Sequence, residues 1–260
     1  MRRWLPLGAL VLTQIGYPLT RGHDRATLVT VTVVLGFATA LAHAVATRGA
    51  RAGAVLVVVT AVLGLAVETL GVTTGFPFGG YGYSTALGPR LHGVPAVIPL
   101  AWTWLAWPAW LAAGTVTRQS IRRAALAGLG LAGWDLFLDP QMVAEGYWHW
   151  HDPDPHLPGV PTVPLTNYLG WLGVAVLMMA LLAVLGGGPV ARLDRHRDAP
   201  MLALYLWTYL SSVLALGVFL GLPAAAGWGA LGMGLVALPA ARALGAVTGR
   251  TERTAPEAKA

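Results

Sequence analysis

Asp135 and Asp139 stand four residues apart in the stretch WDLFLDPQMVAEGYWHW, residues 134–150, and Glu145 follows them. That spacing puts both aspartates on one face of a continuous helix. Packed carboxyls held away from water cannot all ionise together, so at least one keeps its proton beside a neighbour able to accept one. The chemistry this suits is proton transfer, with an acid and a base in one site. A further carboxylate, Glu68, lies inside the apolar run LGLAVETLGV. A carboxylate near the middle of a bilayer costs about 2.5–3.5 kcal/mol on insertion scales, so such residues face a protein interior or a cavity and mark function. Asp139 also has a structural reading, because Pro140 follows it and Asp-Pro suits the cap and first turn of a new helix. Asp135 and Glu68 have no such alternative.

Aromatic side chains crowd the same region. Tyr81, Tyr83, Trp102, Trp134, Tyr147 and Trp148 are candidates to line a site, where their faces suit a polyene or a transient cation. Trp110 and Trp150 read instead as residues of the interfacial belt. His149, within HWHDPDPH, is a candidate to face the pocket, and Asn167 a candidate substrate contact or cap. Metal binding by this loop is disfavoured, since its two prolines and irregular spacing do not array ligands. No metal and no cofactor are expected.

The elements that must hold these residues are apolar helices. Hydrophobic residues make up 56% of the 260-residue chain and charged residues 11%, against about 25% charged in soluble domains. Apolar runs long enough for a bilayer recur throughout. We expect an all-α polytopic membrane protein with about eight spans, near 4–20, 26–46, 52–71, 94–116, 121–139, 166–187, 200–221 and 224–246. The first span reads as a helix that stays rather than a cleaved signal. The domain expected is a single membrane unit, 1–248, with a short polar tail, 249–260. Of the 17 Lys and Arg, all but Arg21, Arg25 and Arg90 fall in one set of alternate connections. The positive-inside rule then puts both termini in the cytoplasm and the aromatic loops outside the cytoplasmic membrane. The basic net charge of +6 is thus a topology signal, and no nucleic-acid partner is expected. The absence of cysteine excludes disulfides and thiol chemistry.

The chain also resembles itself. LHGVPAVIPL from Leu91 and LPGVPTVPL from Leu157 differ by one inserted residue and two substitutions. GYGY and GYWHW precede them, and Glu68 and Asp135 precede those at nearly equal distances. We expect spans three–four and five–six to be a duplicated helix–loop–helix unit in one orientation, with a site at the repeat interface.

The string WDLFLDPQMVAEGYWHW, with GVPTVPLTNYLGW and the earlier GYGYSTALGP, resembles the membrane hydratases of carotenoid biosynthesis, the bisanhydrobacterioruberin hydratase and gamma-carotene or lycopene 1,2-hydratase type. The resemblance covers roughly residues 60 to 175. It implies cofactor-independent addition of water to the terminal double bond of a linear C40 or C50 carotenoid, with the lipid bilayer, and other membrane enzymes of the pathway, as surroundings. The roles of residues follow from the chemistry. Protonation of the less substituted carbon leaves a tertiary cation, which water captures. Asp135 or Asp139 is the expected acid, Glu68 the acceptor or tuner, and Trp134, Tyr147, Trp148 and Tyr81 the wall facing the cation. Two other classes share these features: a Mg-dependent membrane prenyltransferase, from the DxxxD spacing, and a proton-coupled transporter using the carboxylates as a relay.

Overall fold

The computed structural model describes residues 2–253; the end of the expected polar tail, from 254, lies outside the described residues. Among the described residues the chain forms eight helical rods. They are α1 (Leu5–Gly16), α2 (Gly22–Arg48), α3 (Ala50–Val57) and α4 (Leu63–Thr74) joined by a π-turn into one rod, α5 (Ile98–Val116), α6 (Ser120–Ala144), α7 (Leu165–Ala191), α8 (Arg195–Leu214) and α9 (Pro223–Arg253). Each occupies one of the apolar runs. Five segments are long and apolar enough to cross a membrane: Gly22–Arg48, Ala50–Thr74, Leu165–Gly188, Arg195–Phe219 and Pro223–Leu244. The other three depart from the plain span for visible reasons. α1 is short, α6 carries Arg122, Arg123, Asp135 and Asp139, and α5 spends four positions on tryptophan and two on proline.

α5 is apolar on every side and buried from Trp102 to Gly114, as expected of a helix enclosed by others. α6 lies beside it and packs on α7 and α9. With lipid tails as apolar as leucine, such helices associate by close van der Waals contact at small residues. Gly133 shows this: a Cβ there would lie 2.5 Å from the backbone nitrogen of Met233 on α9. α6 runs unbroken through Pro140 to Ala144, so Asp139 does not cap a new helix. It sits in the helix wall with its side chain buried, so its alternative reading as a cap does not hold.

The arginine-rich connections gather at one end of the bundle. There Arg3 donates to the His196 carbonyl at 3.0 Å, and Arg48 to Asp198 at 2.6 Å. Trp110 is fully buried near this end, with the Arg123 guanidinium 4.2 Å above its ring, so it is not a belt residue. At the opposite end two long connections fold into short strands: β1 (Tyr81–Tyr83), β2 (Arg90–Leu91), β3 (Val94–Pro95), β4 (Trp148–Trp150), β5 (His156–Leu157) and β6 (Val160–Pro164). β2–β3 and β5–β6 are tight hairpins closed by Leu91↔Val94 and Leu157↔Val160. β1 and β4, one from each connection, pair with each other antiparallel.

Candidate functional site

The β1–β4 ribbon roofs a chamber between α4, α5, α6 and α7. Its register is Tyr81↔Trp150, Gly82↔His149 and Tyr83↔Trp148. Side chains alternate across a ribbon, so Tyr81, Tyr83, Trp148 and Trp150 share the face turned to the helices, and Gly82 and His149 the other. Trp150 is buried and donates to the Phe78 carbonyl at 2.9 Å, which corrects its reading as a belt residue.

Below the roof, the carboxylates fall into two groups. Glu68, on α4, is 4% exposed. Its Oε2 accepts from the Tyr81 hydroxyl at 2.6 Å and the Tyr83 hydroxyl at 2.8 Å, and its Oε1 accepts from Trp102 Nε1 at 3.3 Å. One turn on, Gly71 leaves room for this: a Cβ there would lie 2.6 Å from the Tyr81 hydroxyl. Asp135 and Asp139 are buried on one face of α6. The single amide nitrogen of Asn167, on α7, donates to both, to Asp135 Oδ2 at 2.9 Å and to Asp139 Oδ2. Asp139 Oδ1 accepts from Trp148 Nε1 at 3.1 Å, while Asp135 Oδ1 has no hydrogen-bond partner. Two buried carboxyls gathered on one amide nitrogen repel each other if both are ionised, which favours a proton on one of them.

Glu68, Asp139 and Asn167 line a cavity of about 30 Å³, with Tyr81, Tyr83, Trp102 and Trp148 around them. That is room for about two water molecules, and the polar partners a water needs are present. Phe78, Trp150 and Trp171 complete the wall. Trp171 stacks on Trp102 with ring centroids 3.9 Å apart. These three were not anticipated as lining. Trp171 had a legible signal, since it stands four residues after Asn167 and shares its helix face; Phe78 and Trp150 depend on the β1–β4 pairing.

Other candidates lie elsewhere. Glu145 forms an ion pair with Arg25 of α2 beyond the end of α6, apart from the chamber. Tyr147 is buried outside the chamber, and His149 is exposed on the outer face of the ribbon. Trp134 lines an adjoining apolar cavity and meets Trp171 edge-to-face at 6.4 Å. In the HWHDPDPH loop His156 bonds to Asp154, and among the described residues no three His, Asp or Glu side chains are gathered as for a metal ion.

An aromatic chamber with two buried carboxyls in its wall and a third bridged to one of them by Asn167, next to a larger and mainly apolar cavity, is suited to moving protons on a hydrocarbon. The family model for "carotenoid biosynthesis protein" matches residues 28–244. The chain belongs to that family. This carotenoid biosynthesis protein, an all-α integral membrane protein, is also 38% identical over 141 residues to bisanhydrobacterioruberin hydratase of Haloarcula japonica. The match takes in 49% of the chain and 44% of the relative, so the carotenoid biosynthesis protein spans less than half the relative's length. No solved structure matches it.

Proposed function

We propose that the protein is a cofactor-independent hydratase, adding water to the terminal trisubstituted double bond of a linear carotenoid to give a tertiary alcohol. The observation that carries the reading is an aspartate couple bridged by one amide, with Asp139 facing, across a chamber large enough for water, a separate glutamate met only by donors. The aspartate couple donates its proton to the less substituted alkene carbon, and the π electrons form that C–H bond. The positive charge left on the tertiary carbon faces the rings of Trp148, Trp102 and Trp171. A chamber water forms the C–O bond and yields its extra proton to Glu68. A proton passed back to the couple through water closes the cycle, with one water consumed per end hydrated. The lining holds no Lys, Arg or His, which disfavours a site for a diphosphate.

The same reading includes eight crossings, both termini in the cytoplasm, the chamber toward the outer face, and a duplicated unit. The duplication is supported by features that recur in the same order at nearly the same spacing. Tyr81 follows Glu68, and Trp148 follows Asp135, at the same distance. Each unit then makes a Leu-x-Gly-Val hairpin, and each enters its second helix through Leu100 or Leu165. Two residues on stand Trp102 and Asn167, and each donates to its own unit's carboxylate, Glu68 or Asp135. The β1–β4 ribbon joins the two units about its own centre.

The test is expression in one host accumulating lycopene and in another accumulating bisanhydrobacterioruberin, with mass spectrometry of the pigments. A product heavier by one water per end is expected in at least one host. Unchanged pigments in both, with the protein present in membranes, would overturn the hydratase reading.

A further inference from the structure

Beside the chamber lies a second cavity, of about 120 Å³. Its walls come from α1, α2, α5, α6 and α8, and no charged side chain lines it. Glutamine, threonine, serine and tyrosine side chains interrupt its wall, but most of it is aliphatic and aromatic, which suits a hydrocarbon segment. The two cavities share Ile98, Ala101, Leu138 and Trp148. Trp148 is also the donor to Asp139, so this partition is the place where an apolar ligand would first meet the acid. The other end lies between Gln14 on α1 and Ser212 on α8, both part-exposed. Leu12, Ile15 and Leu210, all strongly exposed, lie on α1 and α8 near that end, which therefore faces lipid rather than water.

We infer that this second cavity is the seat of the polyene: the carotenoid slides in from the bilayer between α1 and α8, and its end group stops at the Ala101–Leu138–Trp148 partition. The inference rests on the hydratase reading and adds the route and the residues that set the depth of insertion. A chain already dissolved in lipid gains nothing from the hydrophobic effect by moving into the cavity. Its binding comes from close contact with side chains such as Trp104 and Trp134, whose rings meet edge-to-face at 5.4 Å. The division of labour then follows from volume and polarity. Water is held in the small polar chamber, hydrocarbon in the larger apolar one, and the two meet only where the proton is delivered.

The chain has no cysteine, so single thiols can be placed cleanly. The experiment compares Ser212→Cys, at the mouth, with Leu214→Cys, 55% exposed on the lipid side of the same helix. Purified full-length protein in detergent is treated with benzyl methanethiosulfonate, with and without lycopene bound beforehand, and then assayed for pigment hydration. Labelling of Ser212→Cys is expected to be slowed by lycopene and to reduce hydration by about tenfold or more, because a blocked approach misplaces the reacting carbon. Labelling of Leu214→Cys is expected to leave the rate as it was. Hydration at the unlabelled rate by labelled Ser212→Cys, or labelling indifferent to lycopene, would overturn the seat. Protection by lycopene without hydration in any variant would leave the seat standing and remove the hydratase reading instead.

Discussion

Glu68 is the residue whose replacement separates chemistry from folding most sharply. It faces three donors: the Tyr81 and Tyr83 hydroxyls on Oε2 and the Trp102 indole on Oε1. In Glu68→Gln the amide oxygen can turn to Trp102, which can only donate. The amide nitrogen then points at the two tyrosines, whose hydroxyls rotate to accept. No buried group is left unpaired, and the loss is the difference between bonds to a carboxylate and to an amide, about 1 kcal/mol each. In Glu68→Leu the indole N–H and both hydroxyls lose their partner, at about 1–3 kcal/mol apiece. The total, about 3–9 kcal/mol, is a large share of a typical stability of about 5–15 kcal/mol. The expected outcome is a Glu68→Gln protein that accumulates in membranes like the parent and melts a few degrees lower in detergent. Its hydration rate falls by about 10²- to 10⁴-fold, the usual worth of a positioned acid or base. Glu68→Leu accumulates much less than the parent and melts well below it. Pigment mass spectrometry, normalised to membrane protein, reads the first variant, and thermal unfolding reads both. Wild-type hydration by Glu68→Gln would refute the proton-acceptor role. A stable Glu68→Leu would refute the claim that three donors depend on this carboxylate.

Asp135→Asn and Asp139→Asn are each expected to lose at least about a hundredfold in hydration with protein level unchanged, measured by the same pigment assay. Gly133→Val places a side chain 2.5 Å from the Met233 backbone nitrogen, which cannot swing aside; the cost is about 3 kcal/mol or more and shows as poor accumulation in membranes. At the other end of the bundle, Asp198→Ala strips the partner from Arg48, whose side chain is 3% exposed, and should cost about 3–5 kcal/mol in thermal unfolding without entering the chemistry.

Much of this molecule is legible in its residues, and the parts that are not share one property. The helical runs follow from composition and period, and each of the eight apolar stretches is helical. Asp135 and Asp139 meet because four residues make a little more than one helical turn, which is local information. Glu68 joins them only through tertiary packing, and the internal likeness of the two loops is what pointed to it. Trp150 was placed at an interface because a tryptophan near the end of an apolar run usually belongs there. Its burial depends on β1 pairing with β4 across more than sixty residues, and periodicity carries no trace of that. The same gap hid the Arg25–Glu145 pair, which removes Glu145 from the other carboxylates. Asp139 before Pro140 looked like a cap because the proline lacks an N–H. A helix enclosed by neighbours tolerates that loss, and enclosure is not visible in a dipeptide.

The asymmetry between the two units explains how a duplicated element can become an acid and a base. Where one unit places Trp102, with a single donor, the other places Asn167, whose amide carries two. The second donor is what allows Asn167 to hold two carboxyls at once, and α6 supplies the extra one as Asp139, a position that α4 fills with Val72. The Glu68 side compensates from the ribbon, where two tyrosine hydroxyls bring its donors to three. One half therefore gathers donors around a lone carboxylate and the other gathers a second carboxyl around a shared proton. Exchanging the donors tests this directly. Asn167→Trp, with one donor, is expected to break the couple and abolish hydration even though an indole stands at the equivalent place in the other unit. Asn167→Gln, which keeps both donors on a longer arm, is expected to retain part of it. Equal loss in the two variants, with both proteins folded, would mean that the shared amide positions nothing and that the couple is held by α6 alone.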